Sequence, residues 1–310
     1  MILSRRTLLQ TAAAAAVPAK AAVPAPLGCQ TLPYRAHPLQ RALEGVQKAG
    51  YRFVMPFSTH AGKAFFAPSL NASQRRDVLR LFHDHGLQVF MAFIGLDKQS
   101  RLPEGLSGYL AELDFFKECG IDTVVGVGPW YFTRFPSLPK RARDWQVEVA
   151  AYYRALEQAV RHAERIGVTI TLKPHTGITA TAKSCLDVVA RIRSERLKIC
   201  WDAGNVSFYE GICPDPDLPD LAPHVRAVCI KDHRGGRAEA NFPVPGQGQV
   251  DHQAMFATLV HAGFRGPIAL ERVDGRDDAS AMPPELIDQR IAAARQFLSE
   301  TLDRAASSAP

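Results

Sequence analysis

The sequence has 310 residues, of which 46% are apolar and 22% charged, and its 37 basic and 31 acidic side chains give a formal net charge of +6. That mild excess, with no extended run of Lys or Arg, speaks against nucleic acid as a partner. The six cysteines (Cys29, Cys119, Cys185, Cys200, Cys213 and Cys229) show no Cys-x-x-Cys spacing, which removes zinc-ribbon and thioredoxin-like readings.

The chain opens with Ser4-Arg5-Arg6-Thr7-Leu8-Leu9 and an alanine-rich run to Val17, followed by small-residue cleavage options at Ala19-Lys20-Ala21 or Val23-Pro24-Ala25. A twin-arginine pair before a short apolar stretch reads as a Tat-type signal over residues 1–25, with the Tat machinery as partner and a periplasmic or extracellular destination. The stretch is far shorter than the roughly 20 residues that a spanning helix needs. Without Arg5, Arg6 and Lys20 the charge falls to about +3. A Tat substrate folds before export, which is compatible with free cysteines in an oxidising compartment.

Residues 26–310 show no shift of composition and no low-complexity linker, so one large domain is expected. Short apolar runs predict strands at Leu27 to Leu32, Tyr51 to Phe57, Leu87 to Ile94, Thr123 to Val127, Val168 to Leu172, Leu197 to Trp201, Val225 to Ile230 and Pro267 to Leu270. Between them, helical patterns cover Leu39 to Lys48, Ser73 to His85, Leu106 to Cys119, Ala142 to Ile166, Ala180 to Ile192, Ala254 to Ala262 and Pro284 to Leu302. The connection after the sixth strand reads as loop with one short helix near Leu218 to Ala222. Gly50, Gly86, Gly120 and Gly167 stand where C-terminal caps belong. Eight strands alternating with helices predict an α/β fold, a (β/α)8 TIM barrel. A doubly wound sheet is the alternative, but no Gly-x-Gly-x-x-Gly follows the first strand.

In such a barrel, chemistry sits at the C-terminal strand ends, and here four successive strands end in polar groups. Lys173 and His175 share parity, as do Cys200 with Asp202, and Cys229 with Lys231 and His233. With Asp202 and Glu271 turned inward, the mouth gathers Lys173, His175, Asp202, Lys231, His233 and Glu271. Asp202, before Ala203-Gly204-Asn205, reads equally as the cap of a following helix. Lys173 reads also as a simple counter-charge to Glu271 or Asp202. His175 and His233 read also as loop residues. Cys200 and Cys229 read as small core fillers.

Four segments then carry a resemblance: Trp201-Asp202-Ala203-Gly204-Asn205, Ile230-Lys231-Asp232, Gly246-Gln247-Gly248-Gln249-Val250-Asp251, and Gly263 to Glu271. In this order they resemble the sugar phosphate isomerase/epimerase group of xylose isomerase-like TIM barrels. The resemblance implies a divalent metal (Mn, Mg, Co or Zn) held by a Glu, an Asp, a His and a Glu on strands five to eight. Asp202 and Glu271 match the second and fourth positions, whereas Lys173 and Cys229 replace the first and third. Two repairs stay open: a shifted metal site of His175, Asp202, His233 and Glu271, or a metal-free site in which Lys173 or Lys231 supplies positive charge and Glu271 moves the proton. The function implied is isomerisation or epimerisation of a free or oxidised sugar or cyclitol by proton abstraction beside a carbonyl. β-Elimination from a keto-sugar or keto-glycoside and a non-catalytic carbohydrate-binding barrel are the alternatives. Trp130, Tyr131, Phe132, Phe65 and Phe66 are candidates for an apolar wall over the sugar ring, and Arg234, Arg237 and the Gly235-Gly236 turn for an anion contact. A homo-oligomer stays open.

Overall fold

A computed structural model describes residues 25–307; the leader read over residues 1–25 lies, but for Ala25, outside them. The predicted strands form one parallel sheet, at Leu27–Gln30, Phe53–Met55, Gln88–Val89, Ala92–Phe93, Thr123–Val127, Thr169–Lys173, Leu197–Trp201, Val225–Ile230 and Ile268–Leu270. The first strand pairs with both the second and the last, as closure requires. The third barrel position is split. Gln88 and Val89 pair with the second strand, and Ala92 and Phe93 with the fourth, so Phe90 and Met91 carry the chain from one neighbour to the other. This is the TIM barrel expected, and the doubly wound alternative falls.

The helices at Leu39–Lys48, Ala72–Asp84, Leu106–Glu118, Ala142–Ile166, Ala182–Ile192, His252–His261 and Pro284–Ser307 follow the apolar periodicity. Gly50, Gly86, Gly120 and Gly167 all take positive φ, which lets each helix end and the chain turn into the next strand. The core has two layers. Met55, Met91, Val125, Cys200, Ala227, Cys229 and Ala269 fill the barrel interior, and a larger apolar layer lies between strands and helices. Cys200 and Cys229 are buried, with their sulfurs 3.5 Å apart, the small core fillers expected at the narrow centre.

The connection after the sixth strand holds the short helix expected, at Leu218–Leu221, and differs at Ala203–Glu210, which reads as loop and is a helix. Gly204 and Asn205 have poor intrinsic helix propensity, which hid the latter. Asp202 supplies what propensity lacks, since its Oδ1 accepts from the Asn205 backbone N–H at 2.9 Å. Gly204 is required by packing. A Cβ there would lie 2.4 Å from Lys231 Cγ and 2.6 Å from Lys231 O. Gly204→Ala is therefore expected to destabilise the fold by ~1–3 kcal/mol through overpacking. Gly236→Ala, where an added Cβ meets nothing within 4 Å, should leave the melting temperature unchanged, and equal melting curves for the two variants would contradict this reading.

Candidate active site

The register of the strands brings four charges together. Cys229 lies beside Ala269 on adjacent strands, so Lys231 and Glu271, two residues farther along, emerge side by side on the inner face. Asp202 leaves the sixth strand on the same inward parity as Cys200, and Lys173 ends the fifth. The result is a closed ring of ion pairs. Lys231 Nζ lies 2.7 Å from Asp202 Oδ2 and 2.9 Å from Glu271 Oε1. Lys173 Nζ lies 3.1 Å from the same Asp202 oxygen and contacts Glu271 Oε2. Each ammonium bridges both carboxylates, and all four residues are buried, at 0–7% exposure.

Above the ring opens a cleft of about 340 Å³, within the roughly 300–1,000 Å³ usual for small-molecule sites. Lys173 and Glu271 reach its floor, and its walls include Phe57, Phe93, Trp130, His175 and Tyr209, with Arg101 on the lining. His175 lies tilted at 31° against Tyr209 (ring centres 5.1 Å apart), and Trp130 meets Tyr209 edge-on at 5.7 Å. An aromatic wall of this kind suits the apolar face of a sugar ring.

The ionisation states follow from these neighbours. Burial raises the Glu271 carboxyl, but the Lys173 and Lys231 charges outweigh it and hold the group well below the usual carboxylate range. Burial lowers Lys173, yet Glu271 and Asp202 hold it well above the ordinary lysine value. His175 is pushed down to about 3 by burial and then by the two ammoniums, so its imidazole is neutral at ordinary pH. Burial pushes the Tyr209 phenol up to about 12.

The four-ligand metal set proposed from sequence does not assemble. His233 leaves the inward face, because the strand ends at Ile230 and alternation lapses beyond it. Its Nδ1 meets Ser207 Oγ and its Nε2 the Glu239 carbonyl, both at 2.8 Å, and it packs against Phe208 and Phe242. His175 does face the cleft, with Nδ1 3.3 Å from Asn205 Nδ2. Among the described residues, no group of three or more His, Cys, Asp or Glu is placed to hold a metal ion. The oxygens a metal would need, Asp202 Oδ2 and both of Glu271, already lie against ammonium groups, and a divalent ion set among them would face two unit positive charges at contact distance. The residues present do not fit a divalent metal.

Other expectations are also redistributed. Phe66 packs in an aromatic core with Phe82, Phe115 and Phe116 and does not wall the cleft. Tyr131 meets Trp145 edge-on, and Phe132 meets Phe135 in the same way. Arg237 donates to the Tyr209 carbonyl at 2.6 Å and lies over Phe132 and Phe135, while Arg234 donates to the Gln247 carbonyl, so both brace loops. The Gly246-to-Asp251 motif is structural as well. Asp232 accepts from the backbone N–H groups of His233, Gly246, Gly248 and Val250 at 2.8–3.1 Å, and a Cβ at Gly248 would lie 2.1 Å from its Oδ1. Tyr209, Phe57, Phe93 and Arg101 were missed from sequence. Tyr209 had a signal, since it follows Asn205 at the i, i+4 spacing of one helix face.

His175 gives a test of this environment. Its folded value is depressed to about 3, whereas an unfolded histidine titrates near 6.5. Between those values the unfolded chain binds the additional proton, so this group's contribution to stability falls as pH falls from about 6.5 toward 3. His175→Gln should therefore lose less melting temperature than the parent across that window. Parallel curves from melts at a series of pH values would contradict it.

Comparison with known proteins agrees with this architecture. Residues 43–300 match the family described as xylose isomerase-like TIM barrel. An inosose dehydratase from Geobacillus kaustophilus is 23% identical over 251 residues, covering 73% of this chain and 78% of that protein. D-psicose 3-epimerase from Clostridium cellulolyticum H10, solved with D-tagatose, superposes with a TM-score of 0.68 at 15% identity, over 89% of this chain and 99% of the other. A xylose isomerase-like TIM barrel protein from Mycobacterium smegmatis in complex with magnesium gives 0.70 at 14% identity, over 91% and 98%. The relatives thus include both epimerases and a lyase. With its nearly closed parallel sheet, its charged strand ends and this match over most of its length, the chain belongs to the xylose isomerase-like TIM barrel family.

Proposed function

We propose that this protein is an enzyme that moves a proton beside the carbonyl of a sugar or cyclitol, as an isomerase or epimerase or, by the same first step, as a lyase. The observation that carries the proposal is the placement of Glu271 at the floor of an aromatic-walled cleft, ionised and fixed by two ammonium groups. Its carboxylate takes the proton from the carbon next to the carbonyl; the C–H electrons form the carbon–carbon double bond, and the carbonyl π pair moves onto oxygen. Return of a proton to the other face of that carbon gives the epimer. Its delivery to the former carbonyl carbon, with a proton moving between the oxygens, gives the isomer. Expulsion of a hydroxide or alkoxide one carbon farther on gives the elimination product. The epimerase and the inosose dehydratase among the relatives support this shared first step. The proposal includes export by the leader of residues 1–25, which favours free over phosphorylated substrates.

Solvent exchange tests the first step whatever the outcome. In D2O, with a panel of ketohexoses, 3-keto-glycosides and inososes, NMR should show loss of the proton next to the carbonyl in at least one compound. Glu271→Gln should lower that exchange by about 10²–10⁴-fold, the usual contribution of a positioned acid–base group, while ligand affinity stays within a few fold. A ligand that binds the parent protein with no exchange would replace the enzyme by a carbohydrate-binding barrel.

A further inference from the structure

We infer that Lys173 and Lys231 together take the place of a divalent metal ion at the base of the cleft, with Lys173 as the electrophile that meets the substrate's carbonyl oxygen. The inference rests on the proton-transfer reading of this site. Two ammonium groups carry the same charge as one divalent ion, and they neutralise the same two carboxylates. The bridging pattern is equivalent too, since each ammonium spans Asp202 and Glu271, and Asp202 Oδ2 spans both ammoniums. Ion pairs of 2.7–3.1 Å stand where a metal would need oxygens at roughly 2.0–2.3 Å.

Burial makes the replacement permanent. Lys173 and Lys231 are 2% and 3% exposed, so neither ammonium can leave for water to admit a metal without stranding a buried charge. Gly204, by its lack of a Cβ, lets the Lys231 stem pass against the helix start and reach the ring. The two lysines then divide the work. Each ammonium has three N–H bonds and donates one of them to a carboxylate, Lys173 to Glu271 and Lys231 to Asp202, with the other carboxylate as an ion-pair neighbour. Lys173 lines the cleft and Lys231 does not, so an N–H of Lys173 is the one within reach of a substrate oxygen. As the carbonyl π pair moves onto oxygen, that N–H stabilises the developing negative charge. Lys231 holds Asp202 and Glu271 in register beneath.

The test is metal content and melting behaviour of the purified protein, neither of which depends on turnover. Elemental analysis should find no near-stoichiometric Mn, Mg, Co, Zn or Fe, and the melting temperature should be the same after chelator dialysis and after addition of Mn, Mg, Co or Zn. A near-stoichiometric metal whose removal lowers the melting temperature would overturn the inference. In Lys173→Ala, methylammonium should raise the melting temperature in a concentration-dependent way and tetramethylammonium should not; no difference between the two amines would count against a specific ammonium site. If that variant does not fold, the metal measurements on the parent still decide. A protein that is indifferent to chelator and exchanges no substrate proton would sink the proton-transfer reading while leaving the charge replacement intact.

Discussion

Four buried charges at the end of a barrel can persist only as a set. Taking one ion out of water costs several kcal/mol, and a lone partner left behind in the interior is worse than the intact pair. Here Lys173, Asp202, Lys231 and Glu271 meet that condition by bridging one another in both directions. Much of the surrounding chain serves the condition. The inner core beneath narrows to Cys200, Cys229, Ala227 and Ala269, small residues that leave the long lysine stems room to rise through the barrel. Asp202 also caps the helix Ala203–Glu210, so one carboxylate fixes both a helix start and an ion-pair ring.

The loops above are tied to the same point by backbone contacts. Asp232, next to Lys231, gathers four N–H groups and so pins residues 246–250 to the end of the seventh strand. Asn205 reaches back to the Pro174 carbonyl at 2.6 Å and to His175, which sets the aromatic wall over the floor. The cleft is thus rigid at its base and aromatic at its side, an arrangement suited to holding a ring while one carbon–hydrogen bond is worked on.

The fold was legible because its signals were local and periodic: apolar runs at strand length, amphipathic helices, and glycines where helices end. So were the strand-end charges, since parity, with Asp202 and Glu271 turned inward, puts Lys173, Asp202, Lys231 and Glu271 at one mouth. Parity failed at His233, where the strand had already ended and Asp232 turned the backbone. Asp202 reads from sequence as a cap or as a charge at the mouth, and its two oxygens do both, Oδ1 capping the helix and Oδ2 meeting the two ammoniums. Phe57 and Arg101 come from loops whose course depends on tertiary packing, and Phe93 from the split third strand, where the break between Val89 and Ala92 sets which side chains reach the cleft; no spacing in the sequence marks them. The choice between a shifted metal site and an ammonium pair turned on distances across the barrel, which sequence does not carry.

The four charges form one energetic unit, and a double-mutant cycle on Lys231 and Glu271 measures it. Lys231→Met and Glu271→Gln should each cost roughly 3–5 kcal/mol, since each strands a buried charge. The double variant keeps Lys173 paired with Asp202 and should cost less than the sum, with a coupling of about 1–3 kcal/mol in denaturant unfolding. Additive losses would show that the ring is a set of independent contacts and would contradict the account.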